Sequence, residues 1–195
     1  MTITTVLTLA SAGLSKALKT ELIIGLICLM SVAVQAQTGR FVSAEQFRQR
    51  AFPETEPVSQ VLWVDKSLRS QAENILGHGF YGLRTRYWEQ GQRSAWILDE
   101  VGKERPITIG VVIEAGRIVD VMVLEFRESR GGEVRHRFFT RQFSDLKLME
   151  NGRGHSLSRS IDGITGATLS VRAVKKVATL ALLFHHHIQK NKNTD

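Results

Sequence analysis

A chain of 195 residues has room for one medium domain or two small ones, and 43% apolar with 23% charged residues is a globular composition. The single cysteine excludes a disulfide framework, a cysteine-based zinc site and a cysteine-ligated iron–sulfur cluster within one chain. The net charge of +7 suits anionic partners without naming one.

The N-terminus reads as an export signal. Lys16 and Lys19 form a basic region, and Leu22 to Ala36 is almost wholly apolar. Val34-Gln35-Ala36 places cleavage after Ala36. The run is shorter than the roughly 20 residues of a comfortable span, yet the upstream Leu/Ala segment can extend it, so a retained anchor is the alternative. Cys28 lies inside this run, and Ile27 before it is too large for a lipoprotein signal. The expected division is therefore a signal or anchor over 1–36, a helical lead-in over 37–78 and a second part over 79–195.

Ser43 to Arg50 reads as a short capped helix ending before Pro53. Glu54 to Pro57 is a linker. Asp65 to Leu76 carries Leu68, Ala72, Ile75 and Leu76 at helical spacing, with Gly77 placed to stop it. Leu83–Gln90 and Ser94–Val101 read as strands around a Gly91-Gln92 turn signal. Ile107–Glu114 and Arg117–Phe126 form the clearest hairpin, joined at Ala115-Gly116. Three or four antiparallel strands follow from this. Glu128–Glu133 is a polar glycine-containing loop, Phe138–Leu146 a short helix or packing segment, and Met149–Ser160 a polar connection. Thr168–Gln189 is a helix whose apolar stripe includes Val171, Val174, Val177, Ala178, Ala181, Phe184, His185 and Ile188. Strands in the middle and helices at the ends predict an α+β domain.

The informative stretch is Asp162-Gly163-Ile164-Thr165-Gly166-Ala167-Thr168-Leu169-Ser170. Its glycines make a tight turn and let another group approach the backbone. The turn leads into the long helix, whose free N–H groups form an anion site near Thr168. Local physics leaves a plainer reading open: Thr165 or Thr168 caps the helix and the glycines only turn the chain.

The run matches the motif Asp-x-x-Ser/Thr-Gly-Ala-Thr-x-Ser/Thr at Asp162, Thr165, Gly166, Ala167, Thr168 and Ser170. It resembles the FMN-binding domain family, which includes the C and G subunits of sodium-pumping quinone reductase and Rnf complexes and small exported flavoproteins. The likeness extends over roughly residues 80 to 188, through the Val/Ile-rich hairpin, the Glu128-Ser129-Arg130-Gly131 loop and the Phe-rich segment. Arg130 stands where many relatives have proline. The resemblance implies an antiparallel sheet with flanking helices, and FMN joined through its phosphate to Thr168. It also implies a separate flavin transferase using FAD as donor, with Asp162 serving that transfer and Gly166 and Ala167 keeping the backbone open to the phosphate. Glu128, Arg130 and Gly131 become candidates to touch the flavin ring, a solvated turn being the other reading of that loop. Leu169 sits next to the attachment point and is placed to pack on the ring.

The expected function is periplasmic electron transfer with a membrane or periplasmic redox partner. No substrate-binding domain remains beside the flavin domain, which points to a carrier or subunit rather than a self-sufficient reductase. A reductase of small acceptors and a non-redox binding module are the alternatives. His185-His186-His187 cannot all ligate one metal from a straight helix, because neighbours point about 100° apart. At a frayed helix end they would favour the dipole when protonated. Trp63, Trp88 and Trp96 are read as core residues. Arg127, Arg130, Arg135, Arg137 and Arg141 form a basic cluster able to steer an anionic partner. It is not interleaved with aromatics, so no nucleic-acid partner is expected. There is no Walker loop and no Rossmann fingerprint.

Overall fold

The computed structural model describes residues 39–152 and 154–192. The apolar run, Cys28 and the expected cleavage position lie outside the described residues. Among those described, no helix is long and apolar enough to cross a membrane.

Six antiparallel strands form the main sheet, in the order β1-β6-β5-β4-β3-β2. They are β1 (Gly39–Arg40), β2 (Val58–Trp63), β3 (Arg84–Gln90), β4 (Arg93–Val101), β5 (Pro106–Glu114) and β6 (Arg117–Phe126). The sequence predicted three or four. The two outer strands carry weak signals because edges bury little: of β2 only Leu62 is buried, and β1 is two residues long. Both lie in the stretch read as a helical lead-in. Central β5 is a near-continuous Val/Ile run, because both its faces are covered. The β5–β6 ladder shifts register between Thr108 and Ile109 and between Val112 and Ile113. Such bulges bend and twist the strand that carries them. Met149–Ser160, read as a connection, contains a small hairpin of β7 (Leu148–Asn151) and β8 (Gly154–Leu157).

Helix α1 (Ala44–Ala51) starts at a capping box: the Gln46 N–H donates to Ser43 Oγ, and the Ser43 N–H donates to Gln46 Oε1. It covers one face of the sheet with Phe47, Ala51 and Phe52, against Ala95, Val112 and Leu124. Gly110 permits this approach, since a Cβ there would lie 2.5 Å from the Phe47 ring.

The other face holds the larger core. Helix α2 (Lys66–Leu76) begins at Asp65, whose carboxylate accepts from the Leu68 N–H at 2.7 Å, and stops at Gly77 with φ 71°. After the short helix α3 (Arg137–Thr140) comes the long helix α4 (Thr168–Lys192), and Leu68, Ala72 and Leu76 of α2 are buried in one core with its apolar side chains. Tyr87 stacks on Trp96 at 4.5 Å, and the Trp96 ring lies 5.7 Å from Phe184. Of the three tryptophans, Trp96 is fully buried, Trp88 is partly buried against α1, and Trp63 is 65% exposed on the edge strand. Each fully buried aliphatic or aromatic side chain contributes about 1.5–3 kcal/mol. Buried Glu100 is held between Lys176 of α4 and His78, at 2.9 Å from each.

Candidate functional site

Two segments far apart in sequence meet at the start of α4. The first is the motif. Gln142, in the short 3-10 turn Arg141–Phe143, anchors it: its carbonyl accepts from Arg159 at 3.1 Å and its side-chain Oε1 accepts from the Asp162 N–H at 2.8 Å. The Ala167 N–H donates to the Ile164 carbonyl at 3.0 Å, with Gly166 at φ 81°. This is a turn that demands a positive φ at its third residue, hence glycine. The Val171 N–H then donates to the Ala167 carbonyl as the helix begins.

Thr168 is the first residue of α4 and is exposed, as are Asp162, Thr165 and Gly166. Leu169 is 39% exposed, while Ala167 and Ser170 are buried. The N–H groups of Thr168, Leu169 and Ser170 head the helix and have no carbonyl one turn before them, which favours an anion there.

The second segment is the loop after β6. Gly131 has φ 85° and is buried against the helix start: a Cβ there would lie 2.5 Å from Ser170 Oγ and 3.4 Å from the Ala167 Cα. Only glycine allows this seam. The loop and the motif enclose a cleft of about 430 Å³, with Ser129, Arg130, Gly131 and His136 on one side and Thr165 and Gly166 on the other. Gly131 and Arg130 therefore lie beside the motif.

Glu128 also borders this cleft, but its carboxylate is engaged elsewhere. Oε1 accepts from the backbone N–H groups of Lys103, Glu104 and Arg105 at 2.5, 2.7 and 2.9 Å. Burial alone would raise its pKa, and these three donors outweigh burial and hold the carboxyl below its usual range. Its charge fastens the β4–β5 turn under the loop. Sequence reasoning had no signal for this, since the partners are backbone groups. It also passed over Ser129, Gly132 and His136, which a search of the loop's neighbours would have found.

The arginine cluster is only partly free to act on a ligand. Arg127 pairs with Glu125 at 2.6 Å and Arg137 with Asp120 at 2.5 Å, while Arg135 lies 4.9 Å over the Phe41 ring. Arg130 and Arg135 border the cleft.

Residues 102–183 match the family model of the FMN-binding domain. The chain contains a domain of the FMN-binding family. The matched stretch runs from the β4–β5 turn through the glycine loop and the motif into α4, so it spans both walls of the cleft. The FMN-binding domain makes this a flavin-binding protein. No curated protein matched the chain, and no solved structure did. The residues present fit the cofactor. An exposed threonine hydroxyl and free helix N–H groups suit its phosphate, and a cleft walled by glycines and backbone admits a flat ring system.

At the other end of α4, His185 is 2% exposed and sits within the core. The Gly116 N–H donates to its Nε2 at 3.3 Å, so the ring proton lies on Nδ1 and is donated to Ser94 Oγ at 2.7 Å. The Trp96 indole donates to the same oxygen at 2.8 Å. Burial, helped by the His186 and Lys192 charges, pushes the His185 pKa down to about 4. This corrects the reading of a frayed, protonated histidine run: α4 continues to Lys192 and His185 is neutral and packed. A hollow of about 410 Å³ lies beside it, but both ring nitrogens are already engaged.

Proposed function

We propose that the protein carries FMN joined by a phosphoester to Thr168 and serves as an electron carrier or redox-complex subunit on the outer side of the cytoplasmic membrane. The observation that carries this is the placement of Thr168: an exposed hydroxyl on the first residue of a 25-residue helix, beside a glycine-built cleft. When bound, FMN supplies one- and two-electron redox chemistry. The chain's own residues provide the rest. Thr168 Oγ1 offers the attachment atom. The first-turn N–H groups meet the one negative charge a phosphoester retains. Gly131, Arg130 and Thr165 border the space for the ring, and exposed Asp162 is available to a flavin transferase with FAD as donor.

Export is supported by Leu22–Ala36 and the Val34-Gln35-Ala36 cleavage pattern, with a retained anchor as the other outcome. The cleft is the only feature we assign to the redox reaction, and its bordering Arg130 and Arg135 suit a partner with an acidic face.

The test is an intact mass of protein exported from cells that also express a flavin transferase. The expected result is a gain of one FMN less one water on the Thr168 peptide, absent in Thr168→Ala. That variant should melt within about 0.5 kcal/mol of the parent, since an exposed first-turn position tolerates alanine. Covalent flavin persisting in Thr168→Ala would overturn the assignment, and so would an unmodified parent when the same transferase modifies a known acceptor.

A further inference from the structure

One face of α4 is basic and only partly covered, with Arg172 exposed, Lys175 and Lys176 half-buried and Thr179 buried at its end. Arg172, Lys175, Lys176 and Thr179 follow one another at i, i+3, i+4 and i+7, which is a single stripe. This stripe forms one wall of a concave cleft of about 450 Å³. The facing wall comes from β8 and the chain after it, with His155, Ser156, Arg159 and Ser160, while α2 contributes Asn74 and Ile75. No aspartate or glutamate lines it.

The charges here are not neutralised from within. Lys176 is held by Glu100 at 2.9 Å. Among the described residues, no acid pairs with Arg159, Arg172 or Lys175, and Arg159 donates only to the Gln142 carbonyl. Three uncompensated cations gathered around a concavity repel one another, and an anionic ligand relieves that repulsion. Two guanidinium groups are suited to bidentate contact with phosphate oxygens, and the hydroxyls of Ser156 and Ser160 add donors, the Thr179 hydroxyl being spent on the Lys175 carbonyl. Ile75 and Leu157 supply an apolar patch for a ring. The volume is that of a small-molecule site of mononucleotide size.

We propose that this cleft binds a small phosphorylated polyanion of nucleotide size. Thr168 precedes Arg172 by four residues, so the two side chains project about 40° apart, one turn up the same face. Ser170, which meets the Gly131 loop, projects about 200° from Thr168. The basic cleft therefore begins one turn beyond the motif, while Ser170 meets the loop of the glycine cleft on another side of the helix, and Thr168 itself lines neither. A phosphate held by Arg172 lies within one helical turn of it. The inference does not depend on the covalent linkage.

The test is calorimetric titration of the full chain, produced without a flavin transferase, with adenosine diphosphate and with inorganic pyrophosphate. The expected result is saturable one-site binding of both that weakens as salt rises. Arg172→Gln and Lys175→Gln should each lower affinity by about tenfold, as expected for losing one charge-assisted contact, with melting temperatures unchanged. Arg86→Gln, at an exposed position of strand β3, should leave it intact. Thr168→Ala should lose flavin attachment yet keep probe binding, so the two readings fail separately. Absence of saturable binding, or equal affinity in the Arg172→Gln/Lys175→Gln double variant, overturns the proposal. It is also overturned if the chain ignores both soluble probes but pellets with phosphatidylglycerol vesicles through Arg172 and Lys175, for the stripe then serves a bilayer.

Discussion

The two ends of α4 treat polar groups in opposite ways. At its start, Thr168 and much of the motif around it are exposed, the first-turn N–H groups have no helical partner, and glycines let the chain turn and the Gly131 loop approach closely. At its far end, His185 is buried with both ring nitrogens occupied. The first arrangement leaves hydrogen-bonding capacity for a ligand, and the second consumes it within the protein. A single helix thus joins an end with open hydrogen-bonding groups to a network that needs nothing further.

The largest effect expected from breaking this contrast is at the open end. Gly131→Ala introduces a Cβ 2.5 Å from Ser170 Oγ at a residue with φ 85°. The left-handed backbone costs about 1–2 kcal/mol for alanine, and the overpacking costs about 1–3 kcal/mol more. Chemical denaturation should show a loss of about 3 kcal/mol. The double variant Gly131→Ala/Ser170→Gly should recover the steric part and keep the backbone part, a coupling read from the cycle. A loss below about 0.5 kcal/mol would mean that the loop is not seated on α4.

The far end is sharpened by pH. The His185 pKa is depressed to about 4 in the folded state, from an ordinary 6.5. The unfolded chain therefore binds the proton more readily between these values. The stabilisation is fully present above about pH 6.5 and is lost as pH falls toward 4, amounting to about 2 kcal/mol by pH 5. Denaturation curves at pH 7.5 and 5 should show this fall in the parent. In His185→Leu the fall should shrink, although that variant is less stable at pH 7.5 for want of the Ser94 partner. Equal falls in both would place the acid sensitivity elsewhere. Partly exposed His78 runs the opposite way: it donates to the Gly79 carbonyl and to Glu100, its pKa is raised, and its contribution fades as pH rises through that value.

How much of this was legible depended on whether the signal was local. The caps of α1 and α2, the Ala115-Gly116 hairpin and the stripe of α4 were readable, since each is fixed by residues within a few positions of one another. Strand β2 was not, because five of its six residues are exposed and no alternation survives at an edge. Strands β7 and β8 were lost for the same reason, having no buried residue between them. At the candidate site, the motif singled out Thr168 as a proposal, and the Glu128–Gly131 loop was associated with it by likeness rather than by physics. That Gly131 touches Ser170, and that Glu128 turns its carboxylate to the β4–β5 backbone, depend on contacts 39 positions apart or on groups without side chains, which sequence does not display. His185 lay on the apolar stripe of α4, and that phase outweighed the histidine run. Its partner Ser94 is 91 residues away and carried no mark.

The smallest change tests whether the histidine network depends on the hairpin that feeds it. Ala115 and Gly116 form a two-residue turn between paired Glu114 and Arg117, with φ 47° and 76°. Positive φ at both positions marks a turn of the kind that prefers Asn-Gly. Ala115 is exposed, so its side chain earns no packing in return for the left-handed backbone. Ala115→Asn should relieve that strain without the added chain entropy of glycine, stabilising the protein by about 1 kcal/mol and raising Tm by about 2–4 °C. Because Gly116 donates to His185 Nε2, a firmer turn should also hold the neutral ring more tightly. The acid loss by pH 5 should then be steeper than in the parent. A variant that gained stability with the acid loss unchanged would show the turn and the histidine to be independent.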